Sequence, residues 1–192
     1  MIIGITGGIA SGKTVVSEYL RQLGYPIVDA DVLAREIMAP GGPVLEEIAQ
    51  AFGSEMIAAD GSLDRQALGR RIFSDESART TLDAITHPAI RALAETRFRE
   101  HAGAKAVFFV VPLLYESGMD DLCDEVWLVH ADEAVRRARL MARDDIDESY
   151  AAQKIASQMS EEERLARGPR VLYNDGDVTH LEAQVKDLVK KL

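Results

Sequence analysis

Residues 7–14 read Gly-Gly-Ile-Ala-Ser-Gly-Lys-Thr, and no other stretch restricts the fold of this chain as tightly. The segment fits Gly-x-x-x-x-Gly-Lys-[Ser/Thr], with Gly7, Gly12, Lys13 and Thr14 at the fixed positions. Successive backbone N–H groups in such a loop converge on phosphate oxygens. The cradle takes in Gly8, Ala10, Ser11 and Gly12, with Val15 just beyond it. Lys13 is suited to bridge the β- and γ-phosphates of a nucleotide, and the Thr14 hydroxyl to hold Mg2+. The flanks match this reading. Ile2-Ile3-Gly4-Ile5 is a short apolar run of strand type, and Val16, Tyr19, Leu20 and Leu23 recur at i, i+3, i+4, i+7 as in an amphipathic helix. Strand, glycine loop and helix follow in the required order, and the helix N-terminus adds its dipole to the site.

Further strands are expected at 25–29, 106–111 and 125–130, with a weaker one at 170–173. The run 106–111 does not alternate, so both of its faces should be buried, as in the middle of a parallel sheet. Helical patterns between the strands make this an α/β layered fold. A βαβ unit needs only ~30 residues, yet residues 30–105 separate the second and third strands. Helical segments are expected there at 31–38, 43–52, 64–73, 76–85 and 88–101, with turns at Pro40-Gly41-Gly42-Pro43 and Asp60-Gly61-Ser62. We read 31–104 as a helical insert for a second substrate. Residues 1–30, 105–146 and 169–192 form the core, and about 147–168, polar and charged, form a lid.

With 192 residues the chain suffices for one domain with a sizeable core. At 47% hydrophobic and 28% charged it has the composition of a globular protein. Cys123 is the only cysteine, which excludes a disulfide framework and favours a reducing compartment. The first strand starts at Ile2, leaving no room for a leader, and no apolar run is long enough to span a bilayer. A cytoplasmic protein is expected, with no membrane partner. The formal net charge of −10 argues against nucleic-acid binding. A monomer or weak homo-oligomer is expected.

Phosphoryl transfer also needs an oriented acceptor and cations to spread charge. Asp29 and Asp31 sit where the second strand ends, the edge at which open α/β sheets bind ligands. If the chain stays extended, both carboxylates point the same way. One could orient or deprotonate a hydroxyl; Asp29 serves equally well as a helix N-cap. Arg35, four residues after Asp31, could share its helical face. His87-Pro88 suits the opening of a helix, with Arg91 one turn on to present a cation; a capping His and a solvated Arg fit as well. Arg136, Arg139 and Arg143 recur on one helical face without an interleaved acid, an arrangement that calls for an anion. Arg137 points elsewhere and can pair with Glu133. No Asp ends the third strand, so metal binding rests on Thr14, phosphates and water, with Asp31 a further candidate. Asn174-Asp175-Gly176 is a turn that could edge an adenine pocket, and an ordinary connecting turn fits it equally well.

Taken together, these motifs resemble the dephospho-CoA kinases nearly end to end. I-T-G-G-I-A-S-G-K-T is similar to that family's phosphate loop, V-D-A-D-V-L-A-R to its acidic motif and H-P-A-I-R to its His-Pro-x-x-Arg; V-P-L-L-Y-E, R-L-M-A-R-D and Gln158 follow in order. The resemblance implies a phosphate-loop kinase fold with a five-stranded parallel sheet, a helical CoA-binding insert and a lid. It implies ATP-dependent phosphorylation of the ribose 3′-hydroxyl of dephospho-CoA, which completes coenzyme A. By the same resemblance Asp31 is the base or hydroxyl-orienting group. Asp29, Arg35, His87 and Arg91 fall to the acceptor side, Lys13 and Arg139 to catalysis, and Arg143 and Asn174 to ATP. The alternative is a phosphate-loop kinase for another small alcohol, such as a nucleoside. The chain departs from the family pattern at Ala10, where a glycine is usual, at Val15, at Lys154, and at Arg167-Gly168-Pro169-Arg170, where an Ala-Asp pair is usual.

Overall fold

The computed structural model describes residues 1–73 and 75–192. Contacts divide the chain into two compact units, one of Met1–Asp29 with His101–Leu192 and one of Ala30–Glu100.

The first unit is built on a parallel sheet of β1 (Ile2–Thr6), β2 (Ile27–Asp29), β3 (Val107–Val110), β4 (Glu125–His130) and β5 (Arg170–Tyr173), in the order β2-β3-β1-β4-β5. Its helices are α1 (Lys13–Gln22), α6 (Glu133–Asp144), α7 (Glu148–Ala156), α8 (Glu161–Ala166) and α9 (Val178–Val189). β3 is buried along its whole length, as its unbroken apolar run requires. Ile3, Ile5, Phe108, Trp127 and Leu172 of the sheet pack with Val16 and Leu20 of α1 and Leu181 and Val185 of α9. Burying each of the larger of these side chains contributes roughly 1.5–3 kcal/mol. The chain leaves central β1 first toward β2 and β3, and later builds β4 and β5 on the other side. The carboxyl end of β1 is therefore the topological switch point where such sheets bind ligands, and the glycine loop starts there.

The second unit is helical, with α2 (Ala30–Ile37), α3 (Pro43–Phe52), α4 (Arg65–Phe73) and α5 (Glu76–Glu100). Val44, Leu45, Ile48, Met56, Leu63 and Leu68 form its buried core. Two expectations need correction. Helices at 76–85 and 88–101 are one continuous α5, and Pro88 lies inside it rather than opening a helix. An interior proline removes one hydrogen bond and crowds the preceding turn, but α5 packs along α2, α3 and α4, and that packing outweighs the local break. The chain also does not stay extended through Asp31, because α2 starts at Ala30. Asp29 and Asp31 therefore belong to a strand end and a helix, and alternation does not align them.

Candidate active site

The loop after β1 owes its shape to backbone geometry. Gly12 caps α1 at φ 103°, a left-handed angle that a side chain resists, and a Cβ there would run into the Asn174 amide. The Ser11 N–H bonds the Gly8 carbonyl at 3.1 Å, and the Val15 N–H bonds the Gly12 carbonyl at 3.0 Å. Lys13 Nζ donates to the carbonyls of Gly7 at 2.7 Å and Gly8 at 3.1 Å. Thr14 is exposed in the first turn of α1.

Ala10 takes φ 61°, so it accepts left-handed strain that a glycine would not feel. Its methyl group has a use. Ala10 and Ile9 pack on Leu140 of α6 and on Ala151 and Ile155 of α7, so the loop tip belongs to a small apolar cluster. Gln158, between α7 and α8, accepts the Ile9 N–H at 2.8 Å.

Side chains from far along the chain hold the loop from other directions. Asn174 is 5% exposed, and its Nδ2 donates to the Ser11 carbonyl at 2.7 Å. Its backbone N–H bonds the His130 carbonyl at 2.8 Å, and its own carbonyl accepts from Arg139 Nη2 at 2.9 Å. Asn174 is thus built into the loop's support, where the sequence pointed to the rim of an adenine pocket. Arg139 Nη1 and the Ser11 hydroxyl are buried with no partner among the described residues. Such groups are costly unless a ligand satisfies them.

The predicted arginine face splits by depth. Arg136 is buried, Arg139 half-buried, and the Arg143 side chain 58% exposed. Arg143 forks onto Asp144 at 2.7 and 3.2 Å, and Lys154 joins at 3.1 Å. Bonds from Arg143 and Lys154 hold the Asp144 carboxyl down at about 2. Arg143 is therefore paired with an acid of its own helix. Arg137 pairs with Glu133 at 3.6 Å, as expected, and with Glu148 at 2.9 Å.

Glu116, from the segment after β3, escaped the sequence reading. It accepts the Met159 N–H at 3.1 Å and lies 3.5 Å from the buried Arg164, which also meets Glu161 at 3.3 Å. Glu161 in turn bonds His130 Nδ1 at 2.7 Å. This network, centred on the buried Arg164, ties α8 to β4 and to the segment after β3. Only the short acidic ending of V-P-L-L-Y-E could have flagged it. Burial and the neighbouring Asp120 and Asp124 push the Cys123 thiol up to about 12, which disfavours the thiolate.

Asp29 ends β2 in register with Val110, which pairs with Ile5 of β1, so it lies at the carboxyl edge of the sheet that carries the loop. In the helical unit, Asp31 and Arg35 are exposed one turn apart on α2. His87 and Arg91 share one face of α5 with Asp83, whose carboxylate lies 3.5 Å from the imidazole. Arg97 ties α5 to Glu36 of α2 at 2.6 Å. Ala34, Met38, Leu68, Ile72, Leu82 and Ile90 line an apolar cleft of about 270 Å³.

Comparison with known proteins places this geometry. The sequence profile of the dephospho-CoA kinase family matches residues 1–180. The dephospho-CoA kinase of Geobacter sulfurreducens is 47% identical over 192 residues, covering 99% of this chain and 98% of the relative. Among solved structures, TT1252 from Thermus thermophilus superposes with a TM-score of 0.84 at 36% identity, covering 100% of this chain and 97% of that one. The dephospho-CoA kinase from Campylobacter jejuni superposes with a TM-score of 0.74 at 25% identity, covering 99% and 96%.

Proposed function

The chain belongs to the dephospho-CoA kinase family, whose members are ATP-dependent phosphotransferases, and from that premise we propose how its residues divide the reaction. The observation that carries the proposal is the loop at 7–14: a left-handed Gly12 at the head of α1, with the Ser11 hydroxyl and Arg139 Nη1 buried and unpartnered beside it. A triphosphate would satisfy these groups, and the α1 N-terminus favours its charge. The donor half comprises the backbone of Gly8, Ala10, Ser11, Gly12 and Val15, the Lys13 ammonium and the Arg139 guanidinium. Arg143 and Asn174 complete it, Asn174 by holding the loop.

The acceptor half comprises Asp29, Asp31, Arg35, His87 and Arg91. Asp31 orients the ribose 3′-hydroxyl of dephospho-CoA and takes its proton. The hydroxyl oxygen bonds to the γ-phosphorus as the bond to the bridging β–γ oxygen breaks, and coenzyme A and ADP leave. Lys13 and Arg139 spread the charge that builds on the transferring group. The Thr14 hydroxyl, exposed at the start of α1, fits one Mg2+ position. Because β3 ends in Val110, with no carboxylate, phosphate and water oxygens would supply the other ligands. When bound, Mg2+ supplies further charge neutralisation on the phosphates.

Residues 147–168, with α7 and α8, act as the lid; the Gln158–Ile9 bond connects them to the loop tip. Among the described residues no helix is long and apolar enough to cross a membrane, and we place the enzyme in the cytoplasm as a monomer or weak homo-oligomer. The test is direct. Purified protein with ATP, Mg2+ and dephospho-CoA should give a product heavier by one phosphoryl group. No product from dephospho-CoA, together with turnover of a nucleoside, would shift the assignment to the alternative acceptor.

A further inference from the structure

Arg136 is a buried cation that makes no ion pair among the described residues. It is 5% exposed on α6, and its Nε donates to the Ala131 carbonyl at 3.1 Å. Arg137 meets Glu133 and Glu148, and Arg143 meets Asp144. Arg136, among the described residues, meets only that backbone carbonyl. Holding a charge away from water costs several kcal/mol even after relaxation. A histidine could relieve that cost by losing a proton; an arginine cannot. The guanidinium packs instead on the phosphate loop. A Cβ added to Gly8 would collide with Nη1 and lie 3.0 Å from Cζ. The Gly8 carbonyl is also one of the two that hold Lys13 Nζ. Arg136 further lines a cleft of about 270 Å³ with Gln158, the residue that holds the Ile9 N–H, and with Asp132, Glu133 and Glu161, none of which pairs with it.

We propose that Arg136 is a positioning residue whose missing counter-charge is the donor triphosphate: the free enzyme carries a strained, uncompensated cation behind Gly8, and ATP neutralises it on binding. This rests on ATP phosphates occupying the loop. Arg136 acts through the loop backbone and through its field, and it raises donor affinity at the expense of free-state stability. A residue that merely packs there would stabilise the free and bound states alike.

Arg136→Gln removes the charge and keeps a donor for the Ala131 carbonyl; Arg136→Lys keeps the charge. Melting temperature is measured for each full-length protein with and without ATP, alongside ATP Kd at low and high salt and KM for dephospho-CoA. The free Gln variant should melt at or above the wild-type temperature. Its ATP Kd should rise about tenfold or more, its ATP-induced shift should shrink, and its salt dependence should flatten. The Lys variant should stay within about threefold of wild type in ATP affinity, as expected for a screened charge that is retained. KM for dephospho-CoA should be unmoved in both. A free Gln variant that is unfolded or less stable than wild type, or one whose ATP affinity is unchanged, overturns the proposal. Wild-type protein that shows no ATP shift refutes the donor site itself, a different result.

Discussion

In the sheet unit the groups proposed to meet phosphate are mostly backbone N–H groups, fixed by side chains that arrive from far away in sequence. Asn174 reaches Ser11 across 163 residues and Gln158 reaches Ile9 across 149. In the helical unit the candidate groups are ends of side chains on two helices, Asp31 and Arg35 on α2 and His87 and Arg91 on α5, with local i,i+4 neighbours. The first arrangement is held by long-range bonds, one from the buried Asn174 and one from the half-buried Gln158. The second leaves charged groups on helix faces, where each can be changed without disturbing a backbone. Damage to the sheet unit should therefore spread from affinity to turnover to stability, while damage to the helical unit should stay with the reaction step it removes.

The largest effect expected in the sheet unit comes from Lys13→Ala, which removes the charge proposed to meet the transferring phosphates. Steady-state assays should show kcat lower by roughly 10²–10³-fold, and near-normal turnover would break the assignment of the loop. Asn174→Ala comes next. It leaves the buried Ser11 carbonyl unpaired, at a cost of about 1–3 kcal/mol in urea unfolding. Because the same bond shapes the cradle, KM for ATP should rise about tenfold. A stability loss without a change in KM would mean that the loop keeps its form unaided.

Ala10→Gly should have the smallest effect. Relief of left-handed strain, about 1–2 kcal/mol, is opposed by the lost burial of one methyl, about 0.8 kcal/mol, and by the greater freedom of glycine in the unfolded chain. The urea midpoint should shift by less than about 1 kcal/mol equivalent. A larger loss would show that the Ala10 methyl is a keystone of the cluster with Leu140 and Ile155.

The same contrast explains which features could be read from the sequence. Residues 7–14 and the parallel strands are local patterns, and β4 and β5 fall on the expected residues because apolar runs bounded by turn residues define them. Pro88 misled because a local breaker was weighed without the helices that pack along α5. The support role of Asn174 was invisible because its partner lies at the other end of the chain. Periodicity placed Arg136, Arg139 and Arg143 on one face, yet it carries no information on depth; the neighbouring loop buries the first and leaves the last in solvent. For Ala10 the sequence shows a Cβ within the loop but not its backbone angle, and φ 61° places it in the left-handed region.

The division of labour between the two units is tested most directly by Asp31→Asn, assayed with ATP and dephospho-CoA. Replacing the carboxylate with an amide keeps its shape and removes its ability to take a proton. The account predicts kcat lower by about 10²–10⁴-fold, with KM for ATP within about twofold of wild type, since the donor loop lies in the other unit and is held by its own supports. An unchanged kcat, or ATP binding lost together with turnover, would contradict it.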